Sequence, residues 1–261
     1  MGYCIALTMS SFYTGETPDA VKNAKGLHLI TTLTPNGRKA HIYLEELKEI
    51  YGLEWTTSLI DLDTLEQKKP WYLKLNPNGR IPILIDNTQS PPHVVMESSA
   101  ILFYLLATVD KNNVFGFSDP IEHSQLVQWT IFWHASGQPI QGQYNYFRRN
   151  AVDESPHAAQ RFKKEVLRVY GVLELHLSGK LTSSPREYLA GSGTGKYSIA
   201  DINAWSWIRT FKSIGFEEEE LAAFPHLAAW VTRIADRPAV LRGLGEAYDE
   251  EVHPELLIRT E

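Results

Sequence analysis

The spacing of apolar residues divides the chain into two halves with different periods. In the first half, short apolar runs alternate with segments of helical spacing and are separated by turn residues. Their order is β-α-β-α-β-β-α, which predicts a mixed sheet with a crossover helix. The predicted strands are Leu27–Thr32, Glu54–Asp61, the run after Pro82 and His93–Val95, and the predicted helices are Lys39–Tyr51, the later part of Asp63–Leu75 and Ser98–Ala107.

From Ile121 onward, apolar residues recur every three or four positions, which predicts an all-α half. The first of its helices contains Pro139, where we expect an interruption. The turn-rich residues 111–120 look like a linker before this half, and the acidic tail after Arg242 is expected to pack over the surface or to fray. The apolar positions that define the helices are Leu126, Trp129, Trp133, then Phe162, Val166, Val169, Leu173, Leu177, then Trp205, Ile208, Phe211, and finally Leu227, Trp230, Val231 and Ile234.

The chain has 261 residues, which is enough for two domains with ample hydrophobic cores. We place an α/β domain at residues 27–110 and an all-α domain at residues 119–250. Residues 1–26 are predicted to be a loosely held extension. The extension does not fit a myristoylation signal, because Ala6 stands where Ser or Thr is required, and its apolar run has no basic residue before it.

Charge and cysteine content narrow the possible partners. The formal net charge is −6 and no block is rich in Lys or Arg, which argues against a nucleic-acid partner. No apolar run approaches the roughly 18 residues that cross a bilayer, so no membrane partner is expected. Cys4 is the only cysteine, which excludes an intramolecular disulfide and favours the cytoplasm. The nine histidines show no close metal-ligand spacing, so we expect no metal.

The stretch from Asn76 to Ser99 carries the strongest functional signal. Pro82 precedes the apolar run 83–85, which predicts a buried strand, and proline is the residue at which a cis peptide bond is tolerated. Proline also pushes the preceding residue into an extended conformation. We therefore expect the N–H and C=O of Ile81 to be unpaired and able to bind a peptide-like ligand as an added strand.

The other end of this stretch, Glu97-Ser98-Ser99, precedes the apolar run Ala100–Leu106. Ser98 or Ser99 is a suitable cap for that helix, and its first N–H groups would receive a carboxylate. A site for an extended backbone is therefore expected beside a site for a carboxylate. The alternative is a strand, a hairpin and a capped helix that serve stability alone.

A second local motif starts a helix in the all-α half. Ser198–Asp201 reads S-I-A-D, which is a capping box in which the Ser and Asp side chains satisfy the first N–H groups. Tyr197 and Ile202 flank the box at the positions of a hydrophobic staple. The box explains these residues without any chemistry.

Residues 80–84, R-I-P-I-L, followed by residues 97–101, E-S-S-A-I, resemble the glutathione-binding core of the thioredoxin-like glutathione transferases. The capping box extends the resemblance to about residues 27–245. The resemblance implies a thioredoxin-like N-terminal domain followed by an all-helical glutathione-transferase C-terminal domain. It further implies that Ile81 and Pro82 hold the cysteinyl backbone of glutathione, and that Glu97 and Ser98 hold its γ-glutamyl end.

Residues 34–37, T-P-N-G, resemble the branch of the yeast nitrogen-catabolite regulator, its fungal relatives and the bacterial nu-class enzymes. This resemblance implies that the Asn36 amide donates to the glutathione thiolate and holds it charged. The turn has no cysteine, so the reactive sulfur would come from the ligand. By the same resemblance Gln67 contacts the glycyl end, with help from Arg80. The alternative is that P-N-G is simply a good turn sequence.

Residues 133–149 also resemble this branch. The resemblance implies that Tyr144, Asn145 and Arg148 project toward the glutathione site and line the pocket for a second substrate. Either Arg148 or Arg149 would reach the ligand of a partner subunit at a dimer seam. The alternative is that the aromatic residues belong to the core and that the arginines are solvated.

Together with the composition, the resemblance predicts a cytoplasmic glutathione transferase with glutathione as its co-substrate, and it implies a homodimer. The bound thiolate would attack an electrophilic carbon, as in detoxification, a peroxide oxygen or a disulfide sulfur. Without a protein cysteine, disulfide reduction would need two glutathiones or a mixed glutathione disulfide. The alternative is a non-catalytic regulatory homologue that acts through partner binding, because the yeast regulator retains the same fold.

Overall fold

The computed structural model describes residues 12–149, 155–182 and 184–259. Strands and helices alternate in the first part of the chain, and the part after residue 120 is helical. The strands are β1 Leu27–Thr31, β2 Trp55–Leu59, β3 Ile83–Asp86 and β4 His93–Met96. The helices are α1 Asp19–Lys22, α2 Pro35–Tyr51, α3 Pro70–Leu75, α4 Ser98–Thr108, α5 Pro120–Phe132, α6 Gln138–Arg149, α7 Pro156–Leu177, α8 Ile199–Ile208, α9 Glu218–Ala222, α10 Pro225–Ala235 and α11 Pro238–Gly243.

The strands form a mixed sheet in the order β2-β1-β3-β4. Leu29 of β1 lies opposite Thr57 of the parallel strand β2 and opposite Leu84 of the antiparallel strand β3. Strands β3 and β4 form the predicted antiparallel hairpin, with Leu84 opposite Val95. All five residues of β1 are buried, as expected of a central strand. This sheet and the helical C-terminal part confirm the predicted thioredoxin-like and all-helical fold.

The described chain divides into two packed units. The first contains the sheet, and the second is helical and includes α2. The predicted domain boundaries stay a prediction. The first unit comprises the described residues of Met1–Leu33, Glu54–Ile101 and Glu246–Glu261, and the second comprises those of Thr34–Leu53 and Leu102–Gly245.

Both ends of the described chain pack on the first unit. Val21 of α1 is fully buried in its apolar core, and Phe12 and Tyr13 pack against the same core. The prediction of a loosely held extension is therefore wrong for residues 12–26, and residues 1–11 lie outside the described part. At the other end, Ile258 is buried and its N–H donates to the Leu59 carbonyl at 2.8 Å. The acidic tail thus packs, and it does so along β2.

The sheet buries a histidine on its central strand. His28 is 1 % exposed, its Nδ1 lies 2.7 Å from Thr56 Oγ1, and its Nε2 has no partner within the described chain. Burial lowers the pKa of His28 from 6.5 to about 4. The unfolded chain takes up a proton near pH 6.5, and the folded chain does so only near pH 4. His28 therefore lowers the free energy of unfolding progressively as the pH falls through this window.

We expect His28→Asn to weaken the pH dependence of the unfolding free energy by up to about 1.4 kcal/mol per pH unit between pH 4.5 and 6. Asparagine keeps a hydrogen-bonding group near Nδ1 but does not titrate. Urea denaturation at intervals of pH measures the slope. His123→Asn, at an exposed position of α5, is the matched control and should leave the slope unchanged. The same slope in His28→Asn and in the parent would contradict the assignment.

Helix α2 begins at Pro35, one turn before the predicted start at Lys39. Thr34 has an extended conformation, and its Oγ1 accepts a hydrogen bond from the Gly37 N–H at 3.1 Å. Threonine is a favourable N-cap, and proline is favoured at the first helical position because its missing N–H needs no partner there. The T-P-N-G segment is therefore the cap and first turn of α2.

Within the second unit, α2 packs closely against α8 and α11. Gly243 of α11 approaches α2 so closely that a Cβ atom there would lie 2.7 Å from the Ile42 Cα. Glu46 of α2 forms a 2.7 Å ion pair with Arg237, which precedes α11. These contacts fix the helix that carries Asn36.

The interruption expected at Pro139 is a π-helical turn, Trp133–Gly137, which joins α5 to α6. A proline ring clashes with the carbonyl four residues earlier and supplies no N–H, and a widened turn relieves both problems. Gly137 is required here, because a Cβ would lie 2.2 Å from the buried Trp133 ring. The kink therefore sits just before the residues of α6 that were predicted to face a ligand.

Candidate functional site

The loop from Asn76 to Pro82 leads into β3 and is held by buried donors. The Arg80 carbonyl accepts hydrogen bonds from Asn76 Nδ2 at 2.8 Å and from Tyr72 OH at 2.7 Å. The peptide bond between Ile81 and Pro82 is cis. The backbone on either side of Ile81 is thus fixed by the fold of the first unit.

Ile81 itself lies outside the strand ladder, because β3 pairs with β1 only from Ile83 onward. The N–H and C=O of Ile81 form no hydrogen bond within the described residues, as the sequence predicted. Unpaired backbone groups at the start of a strand are suited to pair with the backbone of a peptide-like ligand.

Glu97 lies beside this loop in a conformation that non-glycine residues rarely adopt, with φ of 70°. Its Oε1 accepts a hydrogen bond from Asn78 Nδ2 at 3.0 Å, and its carbonyl accepts from the Ile101 N–H at 3.0 Å. Helix α4 begins at the buried Ser98, directly after Glu97. The prediction that Ser98 or Ser99 caps this helix stays a prediction. Asn78 is a contact of Glu97 that the sequence did not indicate.

Gln67 lies in a 3₁₀ turn, Glu66–Lys68, and is 7 % exposed. Its Oε1 is excluded from solvent and has no hydrogen-bond partner in the described chain. The nearby Gly79 has φ of 59°, and a Cβ there would lie 3.0 Å from the Gln67 carbonyl oxygen. This close approach and the hydrogen bond between Asn78 and Glu97 bring three parts of the first unit near one another. These parts are Gln67, the Ile81 loop and Glu97.

The Arg80 side chain is exposed and forms no hydrogen bond or ion pair with other described residues. Its backbone carbonyl is the group that the fold uses. The predicted contact of Arg80 with the glycyl end stays a prediction.

Asn36 is the second residue of α2, in the second unit. Its Oδ1 accepts a hydrogen bond from Trp207 Nε1, at the end of α8, over 2.9 Å. An indole nitrogen only donates, so this contact identifies the oxygen of the Asn36 amide and directs the NH₂ group elsewhere. The backbone carbonyl of Trp207 accepts from Gln141 Nε2 of α6 at 3.0 Å. Trp207 thus links Asn36 to α6, and apolar spacing alone did not single it out.

Tyr144 of α6 is explained by packing. Its ring is buried and stacks on Phe216 at a centroid distance of 5.4 Å, and its hydroxyl donates to the Gly215 carbonyl at 3.1 Å. Burial raises the pKa of the Tyr144 hydroxyl, so the group stays a neutral donor. These contacts match the core alternative, and a role toward a substrate stays a prediction.

Asn145 and Arg148 differ from Tyr144 because each holds a buried polar atom without a partner in the described residues. These atoms are Asn145 Oδ1 and Arg148 Nε. The Arg148 guanidinium lies 6.0 Å from the Tyr144 ring centroid. Buried polar groups are normally hydrogen-bonded, so unpaired ones mark positions where a ligand or water would bind. Arg149 is exposed.

In the part of the chain that the structure describes, no helix is long and apolar enough to cross a membrane. The same residues contain no cluster of His, Cys, Asp and Glu side chains that could hold a metal ion.

Comparisons with known proteins identify the family. Residues 34–108 match the family model described as glutathione S-transferase, N-terminal domain, and residues 156–233 match glutathione S-transferase, C-terminal domain. Disulfide-bond oxidoreductase YfcG of Escherichia coli is 33% identical over 218 residues, which cover 82% of this chain and 92% of YfcG. Protein URE2 of Debaryomyces hansenii is 30% identical over 236 residues, which cover 80% of this chain and 74% of URE2.

A solved structure shows the same fold. The glutathione transferase homolog from Lodderomyces elongisporus, crystallised with two GSH per subunit, is 34% identical with a TM-score of 0.74 and covers 84% of this chain and 98% of that one. Sequence identity of this extent over most of the chain, together with the match to both domain models, establishes that these proteins are homologous. The protein belongs to the glutathione S-transferase family, in the branch that contains URE2 and YfcG.

Proposed function

We propose that the protein is a glutathione-dependent enzyme that catalyses thiol–disulfide exchange. The observation that carries this proposal is the unpaired N–H and C=O of Ile81, gathered with Gln67 and Glu97 in one unit. Ile81 would pair with the cysteinyl backbone of glutathione, and Glu97 with Ser98 would bind the γ-glutamyl end. Gln67 would donate through its Nε2 amide to the carboxylate of the glycyl end, beside Arg80.

The Asn36 amide would hold the glutathione sulfur as a thiolate. Its orientation is set by Trp207, so its NH₂ group is a positioned donor for a negative charge. Asn145 and Arg148, with their buried unpaired atoms, would line the pocket for the second substrate together with Tyr144. A homodimer remains the expected assembly.

The reaction needs no protein sulfur. The bound thiolate attacks the glutathionyl sulfur of a mixed disulfide, a new S–S bond forms, and the original S–S bond breaks. The electron pair leaves on the released thiolate, which takes up a proton from water. The products are glutathione disulfide and a free thiol. The relative YfcG is named a disulfide-bond oxidoreductase, which supports this choice over conjugation and peroxide reduction.

The test is steady-state reduction of the mixed disulfide of glutathione and 2-mercaptoethanol, with glutathione reductase and NADPH consuming the glutathione disulfide. We expect turnover well above the uncatalysed exchange. Glu97→Gln, which removes one negative charge, should weaken glutathione binding about tenfold in calorimetry. Glu54→Gln, at an exposed position of the same unit, is the matched control and should bind normally.

Glutathione binding without turnover of the mixed disulfide would overturn the proposed reaction. Turnover of an aryl halide or a peroxide would then assign conjugation or peroxide reduction. The resemblance to URE2 supports a second candidate, a non-catalytic regulatory homologue. A stoichiometric protein partner, found for a sample that binds glutathione but turns over none of these substrates, would favour that candidate.

A further inference from the structure

Arg38 and Arg209 flank the hydrogen bond between Asn36 and Trp207, and the proposed reaction does not use them. Arg38 follows Asn36 by two residues on the first turns of α2, and Arg209 follows Trp207 by two residues at the end of α8. The 2.9 Å hydrogen bond from Trp207 Nε1 to Asn36 Oδ1 joins these two helix ends. Two cationic side chains are therefore attached to one junction.

Neither arginine pairs with a carboxylate among the described residues. The Nε atom of each is excluded from solvent and has no hydrogen-bond partner there. The same unit pairs another partly buried arginine fully, since Arg237 donates through Nε and an NH₂ group to both oxygens of Glu46 at 2.7 and 2.8 Å. A buried donor without a partner is destabilising, so two such donors at one junction indicate a missing acceptor.

The electrostatics of the junction also favour an anion. Burial, and then the charge of Arg38, lower the pKa of Arg209 to about 10, and burial lowers the pKa of Arg38. Arg209 nevertheless stays protonated at pH 7, so two like charges lie close enough to repel each other. The positive end of α2 adds to them, and its first turn has no acidic residue.

We propose that Arg38 and Arg209 recognise a carboxylate on the co-substrate that approaches the sulfur held at Asn36. This inference rests on the proposed function, which places that sulfur. A carboxylate would accept from the terminal NH₂ groups of both guanidinium groups and neutralise the two like charges. In the exchange reaction, this carboxylate belongs to the thiol that is released. The preferred substrates are therefore mixed disulfides of glutathione with carboxylate-bearing thiols.

The test compares two glutathione thioethers that differ only in charge, S-(2-carboxyethyl)glutathione and its amide, S-(2-carbamoylethyl)glutathione. Calorimetry measures the Kd of each at pH 7, so the result does not depend on turnover. We expect the parent protein to bind the acid about tenfold more tightly than the amide. Arg38→Met and Arg209→Met should each remove most of this preference while binding of the amide stays within about twofold. Arg168→Met, at an exposed position of α7, is the matched control and should keep the preference.

Each outcome decides the proposal. Equal binding of acid and amide by the parent protein would overturn it and leave the glutathione site intact. A preference for the acid that persists in both variants would overturn the proposal as well, because other residues would then bind the carboxylate. Failure to bind either thioether would overturn the glutathione site and with it this inference. Arg38→Gln and Arg209→Gln, which remove the charge but keep a polar amide, replace the methionine variants if those do not fold.

Discussion

Replacing Asn36 by alanine is expected to lower kcat for the mixed disulfide about 100-fold, while the Kd for reduced glutathione stays within about twofold. The proposed donor acts on the negative charge of the attacking thiolate, whereas the affinity for glutathione rests mainly on the contacts of the tripeptide backbone and its two ends. Alanine is compatible with the second position of α2, because the cap of Thr34 on Gly37 does not involve Asn36. Steady-state kinetics beside calorimetry separates the two effects. Raising the pH toward the pKa of a free thiol should restore part of the rate.

Trp207 provides the matched second variant. Trp207→Phe keeps an aromatic ring but removes the Nε1 donor that orients the Asn36 amide. We expect kcat to fall about tenfold, with little change in glutathione binding, because the donor remains but is less well positioned. Equal losses in kcat and in affinity for Asn36→Ala would show that Asn36 binds glutathione uniformly and has no special role in the thiolate state.

The parts of the candidate site that could be predicted are those whose physical cause lies within a short segment of the sequence. Ile81 is restricted to an extended conformation by the proline that follows it, and it lies before the first ladder residue of β3. Glu97 was found because it adjoins a strand end and a strongly apolar helix. The mixed character of the sheet followed from the alternation of strands and helices along the chain. In each case the physical cause lies within a few residues of its effect.

The parts that could not be predicted depend on contacts between residues far apart in the chain. The hydrogen bond between Asn36 and Trp207 joins positions 171 residues apart, and no local pattern distinguishes this tryptophan from a core residue. The unpaired Nε atoms of Arg38 and Arg209 likewise arise only when α2 packs on α8. The early start of α2 had a local signal, since Thr34 and Pro35 are a cap and a first helical residue, but the apolar spacing begins later and obscured it.

The helical unit contains a buried carboxylate, Asp201, that is hydrogen-bonded to three other residues. Its side chain is fully buried, and its carboxylate accepts four hydrogen bonds. The capping box supplies the Ser198 N–H at 3.0 Å and the Ser198 hydroxyl at 3.2 Å, and the other donors are the Leu189 N–H at 3.0 Å and Trp230 Nε1 at 2.9 Å. One side chain thus ties the start of α8 to α10 and to the preceding loop. Burial raises the pKa of Asp201 to about 6, so the carboxylate is ionised at pH 8.

Asp201→Asn is expected to lower the free energy of unfolding at pH 8 by about 3–5 kcal/mol. The amide has one acceptor oxygen in place of two, and its NH₂ group would face donors that it cannot satisfy. Asp119→Asn is the matched control, because Asp119 caps α5 at an exposed helix start where asparagine is an equally good cap; we expect a change within about 0.5 kcal/mol. Urea denaturation of both variants measures the difference. A loss at Asp201 no larger than that at Asp119 would show that the four hydrogen bonds do not stabilise the fold, and that the packing of α8 alone holds this unit together.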